Sequence, residues 1–324
     1  MKAAVGHDGH EAENAETQKG AQMADGSIPV VMVRGKSLAE TWEKSLVELW
    51  NNGARVRTQY DRRDAAGEYI DPASVDCTMV MVCEEPMSDP MIHRAFPGGL
   101  EDLEEYRLEV VEGIKNHWIR DPENPEDQRW EYTYNGRLTA YPVKKRGKNG
   151  GMMVEAFNQL DYIVEKLAQN PFTRRAIAHT WVVGEDNGYE SPPCLQGVWV
   201  RALEVSDALA LNMDVRFRSR DAYDAAFMNC FALMHLQAEL GRRLSEKTGR
   251  AVRLGRYVDF ADSYHIYGRR VEDFKERFLK LLEERSFEDR TWPLEFAKPI
   301  FDEARPKVLE KVRQQDASKK CARK

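Results

Sequence analysis

Ser191-Pro192-Pro193-Cys194-Leu195-Gln196 is the stretch from which the rest of the chain can be read. Two prolines fix φ and remove two amide donors, so the backbone ahead of Cys194 is stiff and extended. The alternating run Val198-Trp199-Val200-Arg201-Ala202-Leu203 follows and reads as a strand. The thiol is thus held where a strand begins, a placement that suits a nucleophile. A free cysteine is more often a small buried hydrophobe, so the surrounding residues must decide between the two readings.

Working outward, Leu209, Leu211, Met213, Val215 and Phe217 alternate with Ala210, Asn212, Asp214, Arg216 and Arg218. This is the clearest strand in the chain. It runs into Ser219-Arg220-Asp221 and a long helix with Phe227, Phe231, Met234, Ala238 and Gly241 on one stripe. Amides, a hydroxyl and a guanidinium converge where Arg218-Ser219 meets the helix, which makes an anion site. Asn229 interrupts the apolar density of that helix. Its amide can donate and accept, so it can read a planar base edge, or it can be a buried asparagine satisfied by backbone. Thr173-Arg174-Arg175 precedes a short strand over Ala176 to Val183, as rim solubilisers or as an anion clamp. Asp262-Ser263-Tyr264-His265-Ile266-Tyr267 places His265 and Tyr267 on one face of an extended segment, suited to a sugar hydroxyl or to aromatic packing.

The 324 residues carry 31% charged side chains and a net charge of −6. A mildly acidic chain is a poor nucleic-acid binder. The five cysteines, Cys77, Cys83, Cys194, Cys230 and Cys321, show neither a CxxC nor a Cys/His ligand spacing. That pattern speaks for a reducing compartment and against a disulfide framework or structural zinc; no metal cofactor is expected. The apolar runs Ile28 to Val33 and Met79 to Val82 are too short for a membrane span, and the N-terminus lacks a signal core. A cytoplasmic protein with no membrane partner is expected. Residues 1–27 read as a disordered tail, 28–313 as one catalytic domain and 314–324 as a basic, frayed tail.

The remaining elements are read from periodicity. Ser37 caps a helix carrying Leu38, Trp42, Leu46 and Leu49. Leu103, Tyr106, Val110 and Ile114 define another, with Glu105 and Glu109 on a second face. Tyr132 to Leu138 reads as a strand and turn, Lys144 to Gly151 as a surface loop, and Met153 to Leu167 as an amphipathic helix. Val56 to Asp64 is a polar loop with paired arginines, Arg62 and Arg63.

The ordered set of Asp61-Arg62, Thr173-Arg174-Arg175, Pro192-Pro193-Cys194, Arg218-Ser219-Arg220-Asp221 with Asn229, and His265-x-Tyr267 resembles the thymidylate synthase family. The resemblance is strongest from Pro171 to Tyr267. It implies an α+β class fold, a three-layer α/β arrangement with a large mixed sheet, and a homodimer packed back to back through that sheet. Cys194 resembles the nucleophile that adds to carbon 6 of a pyrimidine. Arg218 and Ser219 resemble the grip on a nucleotide 5′-phosphate, Arg62 a mobile-loop arginine, and Arg174 and Arg175 the pair that completes the neighbouring subunit's site. Asn229 resembles the base reader, His265 and Tyr267 the ribose holders, and Asp221 the aspartate that meets folate. Glu109 and Glu105 are the candidates for the catalytic glutamate, with Tyr134 assisting proton removal.

The implied substrates are a pyrimidine nucleoside monophosphate and 5,10-methylenetetrahydrofolate. Thymidylate synthesis from dUMP is the first expectation. A dUMP, CMP or dCMP hydroxymethylase is the second, and a nucleotide- or RNA-binding homologue without turnover is the third. The chemistry asks for a thiolate, and Arg218 is expected to lower the Cys194 pKa. Leu195, Val182, Arg220 and Ala225 depart from the common bacterial pattern, as does a C-terminus without an apolar closing tail.

Overall fold

Alternating burial along the strands builds one mixed sheet that carries the site. A computed structural model describes residues 26–121, 124, 126–146 and 151–322, without the side chains of 317–322. The expected tail at 1–27 lies, apart from residues 26 and 27, outside the described residues. The strands are β1 (Val30–Gly35), β2 (Ala54–Val56), β3 (Ser74–Cys83), β4 (Ile92–His93), β5 (Tyr141–Arg146), β6 (Met152–Phe157), β7 (Ile177–His179), β8 (Leu195–Val205), β9 (Ala208–Phe217), β10 (Arg220–Asp221), β11 (Val252–Ile266) and β12 (Thr291–Trp292). The main sheet runs β1-β3-β11-β9-β8-β7, with β2 added to β3 and β10 to β11. β1–β3 and β9–β11 are parallel pairs, whereas β3–β11, β8–β9 and β7–β8 are antiparallel.

Helices α1 (Leu38–Asn52), α2 (Leu100–Glu112), α3 (Tyr134–Thr139), α4 (Gln159–Gln169) and α5 (Ala226–Thr248) are joined by a C-terminal helix, Leu294–Ala322. Helices α1 and α5 pack on the sheet, and α2 and the C-terminal helix pack outside α5, which gives the three layers. The Ser37 hydroxyl caps α1 by accepting from the Glu40 amide. Gly113, at φ 69°, ends α2 in the left-handed region. Trp42, Leu46 and Leu49 of α1, Phe227 and Phe231 of α5, and Leu209, Leu211, Met213 and Phe217 of β9 are fully buried in one core.

Among the described residues no helix covers the other face of the sheet. Met32, Val80, Phe260 and Arg216 form one row across it, because they are register partners from β1 to β9. Val30 and Met32 are 75% and 64% exposed there.

Four sequence expectations change. Met153 to Phe157 is strand, and the helix begins only after Asn158, whose side chain caps α4. Val154 and Phe157 fit a helical period, but β6 pairs along its length with β5, so the ladder prevails over the local pattern. That hairpin also takes up part of the expected loop, and residues 147–150 lie outside the described residues. Tyr134–Thr139 is helix, capped by Thr133. Residues 314–322 continue the C-terminal helix through Ala322, instead of fraying from Gln314.

Candidate active site

Cys194 stands one residue before β8 and Arg218 one residue after β9. Their neighbours Leu195 and Phe217 are register partners, so the thiol and the guanidinium meet at one end of the antiparallel pair. The Arg218 amide donates to the Cys194 carbonyl at 2.9 Å. Its Nε donates to the Pro193 carbonyl at 3.0 Å and its Nη2 to the Pro192 carbonyl at 2.7 Å. The same Nη2 lies 3.7 Å from Cys194 Sγ. The two prolines thus present a rigid pair of acceptors that orients Arg218 toward the sulfur. Below them, the Leu195 amide donates to Tyr134 Oη at 3.3 Å.

Burial pushes the Cys194 thiol above its ordinary pKa, and Arg218 and Arg220 oppose this without outweighing it. The expected lowering is therefore not met: the desolvation of a half-enclosed sulfur exceeds the two guanidinium attractions. Arg220 is fully buried, donates to Asp259 Oδ2 at 2.6 Å and lies over the Phe217 ring at 3.8 Å. Tyr257 Oη donates to the same Asp259 oxygen at 2.7 Å.

Cys194, Arg218, Ser219, His265 and Tyr267 line one cavity of about 410 Å³, together with Thr58, Gln59, Tyr60, Asp76, Tyr132, Glu190, Ser191, Pro192 and Ser263. The Tyr267 ring meets His265 edge-on at 4.5 Å between centroids, and Tyr60 meets Tyr267 at 5.8 Å. Two irregularities in the strand ladder sit at this cavity. One lies between Leu195 and Gly197 and the other between Ala261 and Tyr264. Such breaks re-aim side chains, here beside Cys194 and Ser263.

Helix α2 reaches the region from the other side. Asn229 Nδ2 donates to Tyr106 Oη at 2.6 Å. Glu109 is partly buried near Lys115, at 3.9 Å, and desolvation pushes its carboxyl up to about 7. Glu105 turns outward to Lys115 and to Lys311 of the C-terminal helix. Of the two glutamates, only Glu109 is left with a perturbed neutral-range carboxyl, while ion pairing holds Glu105 below the ordinary range despite burial. Tyr132 and Tyr134 pack ring to ring at 5.8 Å near the thiol. Asp221 Oδ1 accepts from the Tyr223 and Asp224 amides, and burial raises its carboxyl to about 6.

The remaining candidate arginines lie elsewhere. Arg62 makes a fork with Asp71, its Nη2 at 2.6 Å from Oδ1. Arg174 and Arg175 are exposed just ahead of β7. Asp76, Ser263, Tyr106 and Tyr132 were missed in the sequence. Ser263 was legible, since it shares the two-residue alternation of His265 and Tyr267. Asp76 was not, because only strand pairing puts it opposite His265. Among the described residues no group of three or more His, Cys, Asp or Glu side chains could hold a metal ion.

The thymidylate synthase family model matches residues 33–290. A putative thymidylate synthase of Methanosarcina barkeri is 28% identical over 218 residues, 67% of this chain and 83% of that protein. One of Methanocaldococcus jannaschii is 27% identical over 257 residues, 77% of this chain and 96% of that protein. The solved structure of thermostable thymidylate synthase A from Bacillus subtilis aligns with a TM-score of 0.51 at 21% identity, covering 78% of this chain and 85% of that one, a likeness of fold. With four-fifths of its length under the family model and the expected thiol–arginine pair on its sheet, this chain belongs to the thymidylate synthase family.

Proposed function

We propose that the chain transfers a one-carbon unit from 5,10-methylenetetrahydrofolate to carbon 5 of a pyrimidine nucleoside 5′-monophosphate through a covalent adduct at Cys194. One observation carries this reading: Cys194 Sγ lies 3.7 Å from Arg218 Nη2 at the wall of a cavity also lined by Ser219, His265 and Tyr267. Family membership makes the chain a methyltransferase-type enzyme that handles a nucleotide and a folate.

Carbon 5 of a uracil ring is a weak nucleophile. Addition of the Cys194 sulfur to carbon 6 turns the ring into an enolate, with charge developing at the carbon 4 oxygen. Arg218 and Arg220 offset the thiolate charge as it forms. Asn229, whose amide is bonded to Tyr106, is proposed to read the base and to favour uracil over cytosine as the planar edge. Folate, when bound, supplies the one-carbon electrophile and, in methylation, a hydride. Asp221, whose carboxylate accepts from the Tyr223 and Asp224 amides, is the group proposed to meet the folate ring. Glu109, poised near neutrality, and Tyr134 are the groups proposed to move the carbon 5 proton. Expulsion of Cys194 from carbon 6 then restores the ring.

The exposed Arg174 and Arg175 and the bare sheet face fit a homodimer in which these arginines complete the partner's phosphate site; the family is generally dimeric. Among the described residues no helix is long and apolar enough to cross a membrane, and a cytoplasmic location is part of the proposal. The test is incubation with methylenetetrahydrofolate and UMP, dUMP, CMP or dCMP, with products identified by mass. Dihydrofolate with a methylated base supports thymidylate-type methylation. Tetrahydrofolate with a hydroxymethylated base assigns the hydroxymethylase branch instead. No product from any nucleotide overturns the proposal.

A further inference from the structure

Asp76 of β3 and His265 of β11 are register partners on an antiparallel pair, so their side chains share one face, about 5 Å apart at Cβ. Ser263 Oγ bridges them, at 2.8 Å from Asp76 Oδ2 and 3.1 Å from His265 Nδ1. All three line the cavity beside Cys194.

The proton inventory fixes the direction of this chain. Burial raises the Asp76 carboxyl to about 6, which still leaves it ionised at neutral pH, and an ionised carboxylate only accepts. The single Ser263 proton therefore goes to Asp76, and Ser263 Oγ accepts from His265 Nδ1–H. Burial lowers the His265 imidazole to about 4, so the ring is neutral and carries its one proton on Nδ1. His265 Nε2 is then a bare acceptor. It and Asp76 Oδ1 are both buried without a hydrogen-bond partner. An unmet buried acceptor is costly, so these two atoms, on residues of the cavity wall, call for two donors.

We infer that Asp76 and His265 together read a vicinal diol, so that the nucleotide this site selects carries a ribose with both its 2′- and 3′-hydroxyls. The inference rests on the nucleotide reading of the cavity and ranks UMP ahead of dUMP. A 2′-deoxy sugar supplies one hydroxyl and leaves one acceptor unmet. Sites built to bond a hydroxyl reject analogues that lack it far more strongly than apolar pockets reject a missing methylene.

The test is calorimetric binding of UMP, dUMP and 2′-deoxy-2′-fluoro-UMP to the full chain without folate. UMP is expected to bind at least about tenfold more tightly than dUMP. The fluoro analogue, which cannot donate, should group with dUMP. In Asp76→Ala the UMP preference over dUMP should fall to within about twofold. Equal or tighter binding of dUMP by the unaltered protein overturns the inference, and that arm does not depend on a variant folding. Absence of binding by all three overturns the nucleotide reading as well. UMP preference without one-carbon turnover would leave the sugar reader standing and remove the proposed reaction.

Discussion

The two halves of the proposed phosphate and nucleophile machinery are built differently. Cys194, Arg218, Ser219, His265 and Tyr267 come from adjoining strand ends and already share one cavity. Arg62, Arg174 and Arg175 lie outside it: one is held by Asp71 and the other two are exposed. The first group is placed by backbone ladders that exist in any folded copy. The second hangs on a loop and on a strand start, where only a ligand or a second subunit could bring it in. The contrast predicts a preformed nucleophile and a phosphate clamp assembled late.

The largest expected effect breaks the preformed half. Cys194→Ala should lower turnover by about 10³-fold or more while nucleotide binding persists; near-normal turnover would refute the nucleophile. Next comes the assembled half. A chain carrying Arg174→Ala and Arg175→Ala and a chain carrying Cys194→Ala should each be inactive alone. Mixed and allowed to exchange subunits, they should recover activity, because one hybrid site is intact. Absence of recovery would mean that the arginines serve their own subunit.

A smaller effect concerns proton movement. Because burial raises Glu109 to about 7, its base form dominates above that pH. Turnover should therefore rise with pH through about 7, and Glu109→Gln should lower it by about 10²-fold and flatten that limb. An unchanged profile would exclude Glu109 as the proton-moving group. The smallest concerns the Arg62 fork. Asp71→Ala should lower the nucleotide KM by a few-fold at unchanged kcat, since the Arg62 end of the pair is solvent-exposed and such pairs are weak. A raised KM would mean that Asp71 positions Arg62 for the phosphate rather than withholding it.

Much of the preformed half was legible in the sequence, because its residues flank strands with a clean two-residue period. The stiff Pro192-Pro193 turn and the Arg218-Ser219 strand end were visible as local features. The acceptor roles of the Pro192 and Pro193 carbonyls were not, since they arise from a contact across some 25 residues of chain. The β5–β6 hairpin was misread because Val154 and Phe157 also satisfy a helical spacing, and only pairing decides between the two. Tyr106 was visible as a core position of α2, but its bond to Asn229 spans 123 residues and has no local signal. The Cys194 pKa was expected in the wrong direction, because a neighbouring arginine can be seen in sequence and the depth of burial cannot.

The ladder irregularity between Ala261 and Tyr264 has a consequence for exchange with solvent. Amides paired along β11 on either side should keep their hydrogens for as long as the sheet stays closed. Those of Asp262 and Ser263, which fall within the break, should trade theirs for deuterium early, a fast-labelling notch inside a slow strand. A nucleotide whose sugar settles against Ser263 would slow that notch, giving a residue-level clock for occupancy that needs neither turnover nor folate.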